Sequence, residues 1–294
     1  MEMRAPSVMQ FLSYLLYALL LTCVLLYVRF PADKFEKFAE RKIEEAFEGT
    51  DVNVGTFKLQ LPFNIYLNKA VIAEKTSGDE ILRLQNIRIR PILSGFGLDY
   101  SLSGDLYNGT FTSQLLFAPR DDKFTLDDIE LSAVDISQSK YVRMVSRREI
   151  SGQLKFLGSY SASMAGGDKD IKGVITLRDG KFSLMQPVLS LKEMEVISLE
   201  AGLTFKNGSL ELIEGTFKGK EIDAEFEGSV NISDRVESSN VNVSGSLVPQ
   251  KDFLKEKPQV LRVVKRLQKQ YRKTALPFNI SGTIGNPRFR FGTL

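Results

Sequence analysis

The 294-residue chain contains no histidine and no tryptophan, and its only cysteine is Cys23. Without histidine it lacks the commonest general base, the commonest metal ligand and the side chain that titrates near neutral pH. A single cysteine excludes an internal disulfide framework and a cysteine-based metal site. The sequence therefore predicts a protein that is not an enzyme, with no catalytic, cofactor-binding or metal-binding residues.

The chain also has little net charge. Lys and Arg outnumber Asp and Glu by 39 to 36, so the formal net charge at pH 7 is +3. A protein that binds nucleic acid usually carries a larger or a strongly localised positive charge. We therefore expect no nucleic-acid partner.

One long stretch carries no charge at all, between Arg4 and Arg29. Its residues 8–28 meet the requirement of about 20 apolar residues for crossing roughly 30 Å of hydrocarbon. A cleaved signal peptide would have a shorter apolar region and a small-residue cleavage site, which does not follow here. We predict a short tail at residues 1–7 and an uncleaved transmembrane helix at residues 8–28. The flanking Lys and Arg do not determine the orientation, because long domains translocate largely regardless of loop charge.

An amphipathic helix is predicted directly after this stretch, over residues 32–48. Pro31 suits a first helical turn, because its missing N–H would have no partner there. Gly49 marks the end of the helix. Apolar side chains recur at helical spacing, namely Phe35, Phe38, Ala39, Ile43 and Phe47. The helix connects the membrane to the folded domain, either lying at the membrane surface or capping one end of a sheet.

Residues 50–294 consist mostly of segments in which apolar and polar residues alternate, as in half-buried strands. The predicted fold class is mainly β, with a long antiparallel sheet that either folds back on itself as a roll or remains a curved trough. The string LPFNI occurs at residues 61–65 and 276–280. It is predicted to begin strands near the two opposite ends of this sheet. In the second copy Phe278, Ile280 and Ile284 lie on one side of the extended chain.

Three dipeptides predict tight hairpin turns, at Asn108-Gly109, Asp179-Gly180 and Asn207-Gly208. These residues accept the positive φ that a type I′ turn requires at both central positions. Because Gly208 lies in such a turn and Gly158 does not, we expect Gly208→Val to destabilise the domain more than Gly158→Val.

A second amphipathic helix is predicted at residues 258–273. Its apolar stripe lies opposite a row of cations, which are Arg262, Lys265, Arg266, Lys269, Arg272 and Lys273. Such a row contacts an anionic membrane surface or an acidic partner. Alternatively the stripe packs over an open end of the sheet and the cations are only solvated. Residues 139–148 and 188–197 are predicted as short helices or irregular connections.

The whole chain resembles the protein N family of bacterial type II secretion, which is similar to the wider AsmA-like group. The resemblance rests on the single N-terminal span, the helix FPADKFEKFAERKIEEAF, the glycine-punctuated strands and the closing ALPFNISGTIGNPRFRF. It implies a bitopic protein of the bacterial inner membrane, with its C-terminal domain in the periplasm. The implied role is an accessory, non-enzymatic one, through contacts with other secretion-apparatus proteins.

The AsmA-like side of the resemblance implies a trough-shaped sheet. It leaves an alternative function, in which the domain holds or transfers phospholipid acyl chains in an apolar groove.

Overall fold

The computed structural model describes residues 13–18, 21–22, 25, 32–46, 49–60, 64–94, 97–118, 123–163, 169–233 and 235–292. Within these residues, no helix is both long enough and apolar enough to cross a membrane. The predicted tail at residues 1–7 lies outside the described part of the chain. So do residues 8–12, 19–20, 23–24 and 26–28 of the predicted span.

The described residues form one antiparallel sheet of 15 strands, which confirms the mainly β prediction. The strands follow one another across the sheet in chain order, except that β1 and β2 both pair with β3. They are β1 (Thr50–Val54), β2 (Phe57–Gln60), β3 (Asn64–Glu74), β4 (Glu80–Ser94), β5 (Gly97–Leu106), β6 (Gly109–Ala118), β7 (Lys123–Asp135), β8 (Ile150–Ser163), β9 (Lys169–Val188), β10 (Leu191–Lys206), β11 (Ser209–Gly219), β12 (Ile222–Asn231), β13 (Asn240–Pro249), β14 (Leu276–Thr283) and β15 (Asn286–Phe291).

Apart from the helical residues 13–18, 21–22 and 25, the helices of the described part are few and lie at the ends and near the middle of the sheet. They are α1 (Ala32–Ala46), α2 (Lys140–Ser146), α3 (Lys251–Glu256) and α4 (Pro258–Tyr271), with short 3₁₀ turns at Ile136–Gln138 and Val236–Ser238. The predicted helices at residues 32–48 and 258–273 are confirmed as α1 and α4. Residues 47 and 48 lie outside the described part, and α4 ends two residues earlier than predicted.

The segment at residues 139–148 contains helix α2, whose N-cap Ser139 accepts a hydrogen bond from the Val142 N–H. The segment at residues 188–197 was predicted wrongly. Leu189 and Ser190 form a tight turn between β9 and β10, with φ of 49° and 66°. Neither residue type favours positive φ, so the local sequence carries no signal for this hairpin.

Helix α1 covers the first edge of the sheet. The Glu44 carboxylate accepts a hydrogen bond from the Val52 N–H at 3.2 Å, and the Glu40 carboxylate accepts one from the Val54 N–H at 3.0 Å. An uncovered edge strand is a template for pairing with another chain. Ile43 packs on the N-terminal core, which consists of Val52, Val54, Phe57, Leu67, Ala70 and Ile87. These contacts support the role in which the helix caps one end of the sheet, rather than the role in which it lies at the membrane surface.

The repeated LPFNI string lies near both ends of the sheet. The second copy opens β14, and the described residues of the first copy, Asn64 and Ile65, open β3. Each of these strands is second from an end of the strand order. The predicted placement is confirmed for these residues, while residues 61–63 lie outside the described part.

Two of the three predicted hairpins are confirmed. Asn207 and Gly208 form the turn between β10 and β11, with φ of 51° and 76°. The turn between β5 and β6 lies one residue earlier than predicted, because its two positive φ values belong to Tyr107 (46°) and Asn108 (64°).

The hairpin predicted at Asp179-Gly180 is wrong. Strand β9 continues through both residues and pairs with β8 on one side and β10 on the other. Asp179 has a φ of 48° and lies at a register shift, where β9 has one more residue than β8. A β-bulge uses the same tolerance for positive φ as a tight turn does, so the dipeptide alone does not distinguish them.

The space around Gly208 and Gly158 reverses the expected order of destabilisation for their substitution by valine. A Cβ atom at Gly208 would meet nothing within 4 Å, so only its positive φ opposes a side chain. A Cβ atom at Gly158 would overlap the carbonyl oxygen of Lys172 and would lie 2.8 Å from the Cα of Gly173. A side chain at Gly158 would therefore have to separate β8 from β9.

We predict that Gly158→Val lowers the stability of the protein more than Gly208→Val does. The strained φ of residue 208 costs on the order of 1–3 kcal/mol, whereas a side chain at residue 158 also disrupts a strand pair. Thermal unfolding of the full chain, followed by circular dichroism, gives the comparison. Gly78→Val is the control for the cost of a side chain at positive φ, because Gly78 also has a positive φ (73°) and open space around it. A melting temperature lowered equally by all three substitutions would contradict the close approach of β8 and β9.

Candidate functional site

The C-terminal half of the sheet encloses an apolar groove. Strand β15 contacts β9, although the two are six places apart in the strand order. Strands β9 to β15 thereby surround a cavity of about 410 Å³ that is partly open to solvent. Small-molecule sites usually measure about 300–1,000 Å³. The lining residues are Arg148, Phe182, Leu184, Met185, Gln186, Val188, Met194, Leu199, Phe217, Ile222, Ala224, Phe226, Val241, Val243, Leu247, Phe278, Ile280, Ile284, Pro287 and Phe289.

Alternation along the strands produces this lining. On β12, Ile222, Ala224 and Phe226 line the groove, whereas Glu225 and Glu227 between and after them are exposed. Successive side chains of a strand point to opposite faces of a sheet, so one strand supplies both the apolar lining and a charged outer surface. The predicted common side of Phe278, Ile280 and Ile284 is confirmed, because all three line the groove.

A row of alternating glycine and phenylalanine crosses the groove from strand to strand. Gly215 pairs with Phe226, Phe226 with Gly245, and Gly245 with Phe278. A Cβ atom at Gly215 would lie 2.6 Å from ring atoms of Phe226, and one at Gly245 would lie 3.0 Å from the Phe278 ring. The rings therefore lie over the glycines of the neighbouring strands. Glycine at these positions lets the rings form part of the groove wall.

Helices α3 and α4 close one end of the groove. Their Phe253, Val260 and Val264 belong to the same buried cluster as the groove residues Leu247 and Phe278. The exposed fraction of Val260 is 2% and that of Val264 is 1%. The apolar stripe of α4 thus packs over the end of the sheet, which leaves its cations at the surface.

The cations predicted as contact residues all lie on the exposed side of α4. Arg262, Lys265, Arg266, Lys269 and Arg272 are exposed, and none of them lines the groove. The sequence from Lys257 to Lys273 contains seven Lys and Arg and no Asp or Glu. This basic face, defined by the five exposed cations above, is separate from the groove.

Arg148 lies at the other end of the groove, just after α2. Its Nε donates a hydrogen bond to the Ser146 carbonyl oxygen at 3.1 Å, and its Nη2 donates one to the Ile284 carbonyl oxygen at 3.2 Å. Among the residues that the structure describes, no carboxylate forms an ion pair with this guanidinium. Burial lowers the pKa of Arg148 from its ordinary value, although an arginine keeps its charge in proteins.

Sequence reasoning did not single out Arg148. It lies in the segment predicted as a short helix or an irregular connection, near Arg143 and Arg147, and both of these are exposed while Arg148 is half-buried. The spacing of the three arginines in the sequence does not indicate which of them is buried. The contact with Ile284, which is 136 residues further along the chain, makes the difference.

The described ranges contain no group of three or more Cys, Asp and Glu residues that could hold a metal ion. The fold and the groove define the class as an antiparallel β-sheet protein with an apolar groove. The chain matches no family model, and no curated protein or solved structure matches it significantly.

We predict that Val264→Glu destabilises the protein by at least about 3 kcal/mol, because it places an unpaired charge in the buried cluster. The matched control is Lys265→Glu, which changes the adjacent exposed residue and should alter the free energy of unfolding by less than about 0.5 kcal/mol. Urea unfolding of the two variants measures the difference. Equal, small effects would show that the stripe of α4 does not pack on the sheet.

Proposed function

We propose that this protein holds an acyl chain in the apolar groove, as a non-enzymatic envelope protein. The observation that carries the proposal is the groove itself. Apart from Arg148 and Gln186, its lining side chains are apolar, and helices α3 and α4 cover only one end of it. An apolar sheet face needs a second layer, and along the groove the curl of β9 to β15 covers this face only in part.

The size of the groove suits an apolar ligand. A sealed apolar cavity of about 150 Å³ already stays dry and binds a molecule as small as benzene. The groove measures about 410 Å³, and each methylene buried in it contributes roughly 0.8 kcal/mol. Water in such a groove would find few hydrogen-bond partners, so an acyl chain displaces it favourably.

The shape of the groove suits an elongated ligand. Its lining follows β13 from Val241 to Leu247, which corresponds to roughly 20 Å at about 3.4 Å per residue. A compact ligand would occupy only part of this length. A curved sheet with an apolar interior is also what the AsmA-like resemblance implies, and that resemblance supports the proposal.

Photocrosslinking tests the proposal in the full chain. A phospholipid with a diazirine in its acyl chain is incorporated into the bacterial membrane, and tryptic mass spectrometry locates the adducts after illumination. We expect adducts on β9 to β15, and we expect Ala224→Trp to reduce them severalfold because the indole fills the groove. The control is Glu225→Trp, which places the same side chain on the outer face. Adducts confined to residues 8–28, or unchanged by Ala224→Trp, would contradict an open lipid groove.

The basic face of α4 supports a second proposal. In it the protein is an accessory component of the type II secretion apparatus, anchored in the bacterial inner membrane with its β domain in the periplasm. The support is the exposed row of cations without an intervening carboxylate, together with the resemblance of the sequence to that family. Cations of this kind bind acidic protein surfaces. Because the basic face and the groove are separate, the two proposals are compatible.

Charge reversal separates the two proposals. We predict that the triple variant Lys265→Glu, Arg266→Glu and Lys269→Glu lowers type II secretion to the level of a strain lacking the protein, while acyl-chain crosslinking is retained. The matched control reverses three exposed cations on the sheet, Lys172, Arg178 and Lys218, and should secrete normally. Normal secretion by both variants, in a strain where removal of the protein impairs secretion, would show that the basic face is not the contact.

A further inference from the structure

We infer that Arg148 binds the anionic head group of the amphiphile whose chain lies in the groove, and so selects a carboxylate or phosphate head over a neutral one. This inference rests on the proposed acyl-chain function and adds the chemical class of the ligand. The observation behind it is the position of a single cation at the end of the groove opposite α3 and α4, in an otherwise almost wholly apolar lining.

The two ends of the groove differ. At one end Phe253, Val260 and Val264 are buried against the strands, so an apolar chain terminus meets apolar side chains there. At the other end lie Arg148, Ile284 and Pro287. An amphiphile that enters with its chain towards the helices therefore places its polar head beside Arg148.

The hydrogen bonds of Arg148 leave donors for a ligand. A guanidinium has five N–H donors, and one bond from Nε and one from Nη2 go to the carbonyl oxygens of Ser146 and Ile284. Carbonyl oxygens orient the guanidinium without neutralising it. A carboxylate or phosphate matches the planar fork of the remaining donors.

The electrostatic balance of Arg148 also favours an anion. Its charge is partly desolvated because the residue is half-buried, and it has no carboxylate partner within the described part of the chain. Removing an unpaired charge from water is unfavourable, and an anionic head group would offset that loss. Gln186, the other polar residue of the lining, is uncharged and provides no such compensation.

Arg148 has a structural role as well, because its bond to Ile284 joins α2 to the turn between β14 and β15. A purely structural arginine would affect stability and would treat charged and neutral ligands alike. The preference for a charged head group is therefore the measurement that separates the two roles.

The test compares cis-parinaric acid with its methyl ester, two fluorescent probes that share one chain and carry either an ionisable carboxyl group or a neutral ester as the head. Both are titrated into the full chain in a nonionic detergent, at a pH where the carboxyl group is ionised. We expect the wild type to bind the acid roughly tenfold more tightly than the ester, the low end of the range for a hydrogen bond to a charged group. Arg148→Gln should lose this preference and keep its affinity for the ester.

The matched control is Arg288→Gln. Arg288 is exposed on β15, between the groove residues Pro287 and Phe289. Its substitution therefore lowers the net charge by the same amount as Arg148→Gln and leaves the groove lining unchanged. The control should keep the preference for the acid. Arg148→Lys, which retains the charge, should keep part of the preference and serves if Arg148→Gln does not fold.

Each outcome bears on a different claim. If the wild type binds neither probe, for example because a peptide segment or a second copy of the chain fills the groove, the proposed function fails and this inference fails with it. If the wild type binds both probes equally, or if Arg148→Gln and Arg148→Lys keep the full preference, the role of Arg148 is overturned. The proposal that the groove holds an acyl chain is then still supported. Competition by oleic acid and lysophosphatidic acid, with monoolein as the neutral control, then distinguishes a carboxylate ligand from a phosphate ligand. Displacement by monoolein as strong as by both acids would also overturn the inference.

Discussion

The apolar face of the sheet has to be removed from water, and the rest of the C-terminal structure follows from that constraint. The strands β9 to β15 curl until β15 contacts β9, which brings apolar side chains from both ends of this region together. Helices α3 and α4 then bury Phe253, Val260 and Val264 against the end of the curled strands. What remains uncovered is the groove, and its chemistry is that of a sheet face whose second layer is incomplete.

The two ends of the long sheet are completed by different means. At the first edge, α1 supplies two glutamate carboxylates to backbone N–H groups of β1 and one isoleucine to the N-terminal core. At the other end the curl and the helix pair provide the cover, and within the described residues β15 is paired by strand hydrogen bonds with β14 alone. Between them, α2 buries Val145 and contacts β4 and the 3₁₀ turn before β13. The described residues thus form two apolar clusters linked by a continuous hydrogen-bonded sheet.

The placement of the groove and of the basic face follows from the same arrangement. Alternation along the strands separates an apolar interior from a charged exterior, so an apolar ligand and a polar partner need not compete for one site. The stripe of α4 is used for packing, which leaves its cations as a solvated row. Arg148 is the exception to this separation, because it is a cation held at the boundary between interior and solvent by two carbonyl oxygens.

The sequence by itself determined the features that depend on near neighbours. These include the mainly β class, the helices α1 and α4, the turn at Asn207-Gly208, and the shared side of Phe278, Ile280 and Ile284. Periodicity and capping act within a few residues, so they can be recognised without the fold.

Tertiary structure alone decided the features that depend on distant residues. Asp179-Gly180 lies in a bulge because β9 is paired on both sides, and Gly158 tolerates no side chain because β9 lies against it. The groove exists because β15 meets β9, and Arg148 is half-buried because the turn at Ile284 reaches it. Each of these contacts joins residues far apart in the chain, and a local pattern contains no information about which distant residue will be the neighbour.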